Sequence, residues 1–223
     1  NYFFSVQRDV TKQYQTEEKL KEETLRLNAL LESVGADHDP LTGALNHRGM
    51  LLQLQRLIDE GKTSDSVTGV VVMQLRRLAR IDQAYGLEPA QQLLSEIGGR
   101  LDQRLEDGEY LARSHEHTFA VLITVDVGAV SDADGHLMAR ARDLATAITE
   151  EGFEVVGNSV QIDIGAGIAR APTDSHHAHE LSVLAEEASQ RATSIHADGL
   201  SLPDHAAMEA QRRQLALESR LRD

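Results

Sequence analysis

Hydrophobic and polar positions recur along this chain in blocks, and their period changes from block to block. Residues 1–11, NYFFSVQRDVT, crowd aromatic and β-branched side chains into a strand-like run with a polar exit, where Asp9 and Thr11 can cap the next element. From 12 to 36 the period becomes helical. Leu20, Thr24, Leu27, Leu31 and Val34 are spaced 4, 3, 4 and 3 apart, an a/d seam in a field of Glu, Lys, Gln and Arg. Such a stripe is covered either by the helix's own domain or by a second copy. A parallel coiled-coil dimer is the expectation, because no flanking globular sequence is close enough to cover it. Gly35 is expected to end the helix.

Between 37 and 200 strand and helix patterns alternate. LNHRGMLLQLQRLIDEG predicts an amphipathic helix ending at Gly61, and GVVVMQL a buried strand. PAQQLLSEIGGRLDQRLE predicts a helix with Leu93, Leu94, Ile97, Leu101 and Leu105 on one face. Its Gly98-Gly99 pair costs about 1 kcal/mol per glycine in a helix interior and is read as room for close packing. LARSHEHTFAVLI (111–123) predicts a hairpin with His115, Glu116, His117 and Thr118 at its tip, where glycine is usual. DGHLMARARDLATAITEEG predicts a helix, FEVVGNSVQIDIGAGIA a strand pair turning at Gly157-Asn158, and AHELSVLAEEASQRATSI a closing helix. The order predicts an α/β fold, a mixed central sheet flanked by helices. Pro203 opens a second charged helix over 203–223.

Charge narrows the function. A formal net charge of −14 lacks the basic footprint of a nucleic-acid binder and disfavours an anionic membrane surface. With no cysteine there is no disulfide framework and no thiolate nucleophile. No apolar run is long enough for a transmembrane helix. The chain begins on Asn1 inside an apolar run, which reads as a piece of a longer protein, with a cytoplasmic location as the default expectation.

DPLTGALNHRG, from Asp39 to Gly49, resembles the D-x-L-T-G-x-x-N opening of GGDEF domains, the diguanylate cyclase family. IDQAYG, RSHEHTFAVLI and VQIDIGAGIA come at the spacings of that family's conserved blocks, so the resemblance spans residues 37–200. It implies the GGDEF/nucleotidyl-cyclase-like sheet. Residues 1–11 resemble the last strand of a PAS or LOV sensor, and 203–223 a lead-in to an EAL phosphodiesterase domain. The implied parent is a PAS/LOV–GGDEF–EAL protein of cyclic-di-GMP signalling. It would be a homodimer through the N-terminal helix, and the upstream sensor allows a flavin.

The family joins two GTP molecules through Mg²⁺, and the resemblance assigns each part of that site a position. The Mg²⁺-holding Asp of the central strand falls at Gln74, and the second acid of that block at Arg76. The lysine after it falls at Ala79. The guanine-reading Asn and its Asp partner fall at Asp82 and Gln91. Aligned through Arg113 and Phe119, G-G-[DE]-E-F becomes His115-Glu116-His117-Thr118-Phe119. The phosphate-binding lysine falls at Thr193, and the R-x-x-D inhibition motif at Glu106 and Glu109.

A hard divalent ion wants anionic oxygen, which Gln74, His117 and Thr118 do not offer. Bringing a phosphate charge to about 5 Å from Glu116 costs roughly 3 kcal/mol at an effective dielectric of about 20. The expectation is therefore no metal site, no cofactor in this fragment and no catalysis. The histidines at 115, 117, 176, 177 and 179 are read as solvated loop residues. The chain would relay a sensor signal to a downstream EAL domain. Leu20, Leu27, Leu31 and Val34 would transmit it, and Asp39, Leu41, Thr42 and Gly43 would form the joint. The alternatives are a non-hydrolysing GTP-binding domain, with Asp82 and Gln91 holding guanine, and an active cyclase with an unusual site.

Overall fold

The computed structural model describes residues 36–76, 78–130, 132–192 and 200–204. The expected first strand, the seam residues Leu20, Leu27, Leu31 and Val34, Thr193, and the C-terminal helix beyond Asp204 lie outside the described residues.

The central strand β2 (Ser66–Arg76) explains the architecture. Its apolar run has no polar face because both faces are covered. Val71, Met73 and Leu75 join one core cluster, and Val70 and Val72 another on the opposite side. β2 is flanked by antiparallel β4 (Thr118–Asp126) and β7 (Asp163–Ala171). Outside β4 runs antiparallel β3 (Tyr110–His115), and outside β3 the short parallel β1 (Leu45–Asn46). On the other edge β8 (Leu200–Ser201) lies parallel to β7. The sheet order is β1-β3-β4-β2-β7-β8.

Five helices cover this sheet among the described residues. α1 (His47–Ser64) and α5 (Ala178–Arg191) bury Met50, Leu54, Ile58, Leu181 and Leu184 against Val70, Val72 and Leu122. α2 (Leu78–Tyr85), α3 (Leu87–Asp102) and α4 (Ala133–Thr149) place Leu78, Ile81, Leu93, Ile97, Leu137 and Leu144 on the other face, around Phe119. The expected α/β fold, a mixed central sheet with flanking helices, is the one observed.

Local chemistry fixes the helix starts. Asn46 caps α1 by accepting from Gly49 N at 3.0 Å, and Asp132 caps α4 by accepting from Gly135 N at 2.8 Å. The helix expected to stop at Gly61 runs on to Ser64 and ends at left-handed Asp65. Gly61 has a negative φ and continues the helix. The expected strand pair is in fact a separate hairpin, β5 (Phe153–Val155) and β6 (Asn158–Val160), preceding β7 of the main sheet. The hairpin turns at Val156-Gly157, one residue earlier than expected, and both central residues have positive φ.

The glycine pair divides its roles. A Cβ on Gly98 would sit 3.3 Å from Thr42 and 3.5 Å from Phe119, whereas Gly99 faces open space. Only Gly98 therefore serves close packing. In β7, a Cβ on Gly167 would collide with the backbone of α5 at Ala185 and Ser189. The run DIGAGIA lets that helix lie directly on the sheet.

Candidate functional site

The β3–β4 turn stands at the end of the central strand, beside the opening turn and α5. Its position is set from four sides. Asp39 organises the opening turn: its Oδ1 accepts from Thr42 N at 3.0 Å and from Thr42 Oγ1 at 2.8 Å. Gly43 closes that turn with φ +74°, donating to Asp39 O at 2.9 Å. The other carboxylate oxygen of Asp39 takes Arg113 Nη1 at 2.9 Å. Arg113 then donates from Nη2 to Glu116 O at 2.8 Å, holding the tip of the turn. Leu41 packs against the core cluster around Phe119.

The turn also closes on the end of β2, where Leu75 N donates to His117 O at 2.8 Å. His115 pairs with Thr118 after a register shift beyond Arg113. No residue from 115 to 118 has a positive φ, so the backbone imposes no need for glycine. His115 and Glu116 are exposed, His117 is half-buried and Thr118 is buried. His115 ends β3 while His117 lies in the turn, so the two do not share a strand face.

His115 is also not a free loop side chain. Its Nδ1 lies 3.2 Å from Glu186 Oε1 on α5, and its ring centroid is 5.2 Å from that of His47 at the start of α1. The contact with Glu186 is an ion pair when His115 is protonated. Half-buried His47 carries a buried Nδ1 without a hydrogen-bond partner. Burial, and then the nearby His115, hold the His47 pKa below its ordinary value. Glu186 opposes them and His179 adds to them. Sequence spacing could not reveal this grouping, because its members lie on three elements far apart in the chain.

Gln74 is half-buried and sits opposite Thr118 in the β2–β4 register and opposite Gly165 in β7. Arg76, two residues on, turns towards α5. Its Nη2 donates to Ala192 O and, at 3.4 Å, to Ser189 O, two carbonyls at the end of α5. A Cβ on Gly165 would strike this guanidinium. At positions 74, 117 and 118 the donor set is an amide, an imidazole and a hydroxyl. That set does not fit Mg²⁺, which is held by carboxylates and phosphates. Among the described residues no three of His, Asp and Glu are arranged to hold a metal ion.

Asp82 and Gln91 are exposed on the neighbouring helices α2 and α3. Glu106 and Glu109 precede β3, where Glu109 is held by a buried arginine. Arg140 of α4 donates from Nε to Glu109 Oε1 at 2.8 Å and from Nη2 to Glu109 Oε2 at 2.7 Å. Both side chains are 6% exposed. Arg140 also donates to Asp143 at 2.6 Å and to Arg104 O, and Glu106 lies 3.6 Å away. The hydrogen bonds to Glu109 raise the pKa of Arg140 despite its burial, so the guanidinium stays charged. Sequence reasoning missed Arg140 altogether.

Comparison with known proteins gives this domain its family. The family described as "Diguanylate cyclase, GGDEF domain" matches residues 36–198, and the chain belongs to that family. Among curated proteins, it is similar to the uncharacterized protein y4lL of Sinorhizobium fredii, 29% identical over 157 residues, covering 70% of this chain and 18% of that protein. It is also similar to the signaling protein YkoW of Bacillus subtilis, 24% identical over 185 residues, covering 83% and 21%. The chain thus spans about a fifth of the length of these relatives. The fold is shared with the coiled coil and GGDEF domain of DgcB from Caulobacter crescentus, solved in complex with c-di-GMP. There the TM-score is 0.71 at 14% identity, covering 86% of this chain and 98% of that one. It is shared too with the GGDEF domain of YfiN (TpbB) from Pseudomonas aeruginosa, with TM-score 0.67 at 20% identity, covering 78% and 99%.

Proposed function

We propose that this chain is a GGDEF domain that does no chemistry and instead relays a signal in a cyclic-di-GMP pathway. One observation carries the proposal. At the turn and the end of the central strand, where the family resemblance places metal and triphosphate, Gln74, His117 and Thr118 offer no carboxylate, and Arg76 is spent on the carbonyls that end α5. Two-metal assistance to phosphoryl transfer needs anionic ligands that these residues cannot supply. Glu116 adds a like charge where a phosphate would approach. At Glu106 and Glu109 the ligand-binding arginine and aspartate of the resemblance are replaced by carboxylates, and Glu109 is already neutralised by Arg140.

In this reading an upstream PAS/LOV sensor biases a parallel N-terminal coiled coil. The Asp39–Gly43 turn passes the change into the sheet, and a downstream EAL domain receives it. An a/d seam has discrete packings that a sensor can select between. The DgcB structure, which joins a coiled coil to a GGDEF domain, supports that arrangement, as do relatives about four times as long as this chain.

The test has two parts. The purified chain, given GTP and Mg²⁺, is expected to form no cyclic di-GMP in a radiolabel assay and to bind GTP at millimolar affinity or weaker by calorimetry. Turnover overturns the proposal, and micromolar binding without turnover replaces it with a GTP sensor reading guanine through Asp82 and Gln91. Leu27→Glu with Leu31→Glu is expected to abolish the dimer. A persisting dimer removes the coiled coil as transmitter.

A further inference from the structure

Two of the positions that separate this chain from its family's site grip the same helix. Arg76, at the end of β2, donates to the carbonyls of Ser189 and Ala192 at the end of α5. His115, at the end of β3, lies 3.2 Å from Glu186 of the same helix. Glu186 and Ser189 are three residues apart and share one face of α5. They are linked further by Ser189 Oγ donating to Glu186 O at 2.7 Å.

The apolar packing of this segment leaves its axial position weakly set. Ala185, Ala188 and Ser189 are all buried, all small, and the last two turns of α5 rest them on the sheet at Gly165 and Gly167. Small residues on glycine form no deep ridges and grooves to lock a helix in register. Small translations of about 1–2 Å are a known form of helix shift. Polar contacts are then what hold the position. A guanidinium hydrogen-bonded to two terminal carbonyls fixes the end of the helix, and an imidazole in close contact with the Glu186 carboxylate holds the turn before it.

We propose that Arg76 and His115 form a two-point clasp that sets the position of the C-terminal half of α5 on the central sheet. Through α5 the clasp also sets where β8 adds to β7. Arg76 and His115 are positioning residues in this role. The inference deepens the relay reading, since the clasp ties the end of the central strand and the β3–β4 turn to the C-terminal half of α5.

Hydrogen exchange on the whole chain, without nucleotide, tests it. Arg76→Met is expected to speed exchange at the amides of 186–192 and 200–201 at least tenfold, while β2, β4 and α3 keep their protection. Arg76→Lys, which keeps the charge but not the two-carbonyl fork, is expected to fall between. His115→Ala and Glu186→Gln are expected to have equal and non-additive effects on 186–192. The proposal is overturned if Arg76→Met and Arg76→Lys both leave these amides protected, or if the effects at 115 and 186 simply add. Should Arg76→Met unfold the chain, the Lys variant and the 115/186 pair still decide. GTP turnover would overturn the relay reading and leave these exchange rates untouched. Unchanged rates would remove the clasp and leave the relay standing.

Discussion

Arg113 Nη1 stands 2.9 Å from Asp39 Oδ2, with the two side chains only 14% and 15% exposed. The pair joins two segments separated by 74 positions, the opening turn and the β3–β4 turn. Each partner does a second job. Asp39 holds Thr42 through its other oxygen, and Arg113 holds Glu116 O. Removing either partner therefore unties the two turns from each other.

Arg113→Met is expected to destabilise the domain by about 2 kcal/mol, the scale of losing hydrogen bonds to a largely buried charge. At about 2–4 °C per kcal/mol for a domain of this size, the melting temperature should fall by roughly 4–8 °C. A thermal melt monitored by circular dichroism checks this. A change under about 1 °C would mean that the apolar packing of Leu41, not the ion pair, holds the opening turn.

Arg140 and Glu109 make a stronger case of the same physics. Arg140→Met leaves the Glu109 carboxylate buried without its partner, which costs about 3–5 kcal/mol. The double variant Arg140→Met with Glu109→Met is expected to recover most of that loss, since no orphaned charge remains. Urea denaturation of the wild type, both single variants and the double variant gives the coupling. Additive losses would show that the two residues do not act as a pair.

His47 makes stability depend on pH. Its pKa is lowered in the fold by burial and by His115, so near and below the ordinary histidine value of about 6.5 the unfolded chain binds the proton more readily. Stability contributed by neutral His47 is complete above about pH 7. It is lost as the pH falls through the unfolded value towards the lower folded one, after which the loss levels off. His47→Gln is expected to flatten the difference in urea midpoint between about pH 7.5 and 5.5. An identical difference in the variant would assign the acid sensitivity to other groups.

The glycines separate by what surrounds them. Gly99→Ala meets open space in a helix and is expected to stabilise by up to about 1 kcal/mol. Gly167→Ala drives a methyl group into the backbone of α5 and is expected to destabilise by about 1–3 kcal/mol. Chemical denaturation of the two variants should move in opposite directions. Gly167→Ala without loss would mean that α5 is free to lift from the sheet.

Much of the fold was legible because it rests on local patterns. The unbroken apolar run of β2 and the helical stripe of α3 can be read residue by residue. The short elements were not legible. β1 and β8 have two residues each, and α2 has eight, too few for a period to show. The hairpin turns at Val156-Gly157, one residue before the predicted Gly157-Asn158, because a β-branched residue with positive φ leaves no turn signal in the sequence. Of the candidate site, the replaced residue types were visible, and what they now touch was not.

The amino-acid sequence by itself determined the family, the mixed α/β class and the chemical types at positions 74, 76, 82, 91 and 115–118. Those depend on residue identity, spacing and short-range periodicity. Only the tertiary structure decided that His115 meets Glu186 and His47, that Arg76 closes the end of α5, and that Arg140 neutralises Glu109. The reason is distance along the chain. Those partners are brought together by packing on a shared sheet, and a contact between remote segments leaves no period or spacing in the sequence from which it could be read.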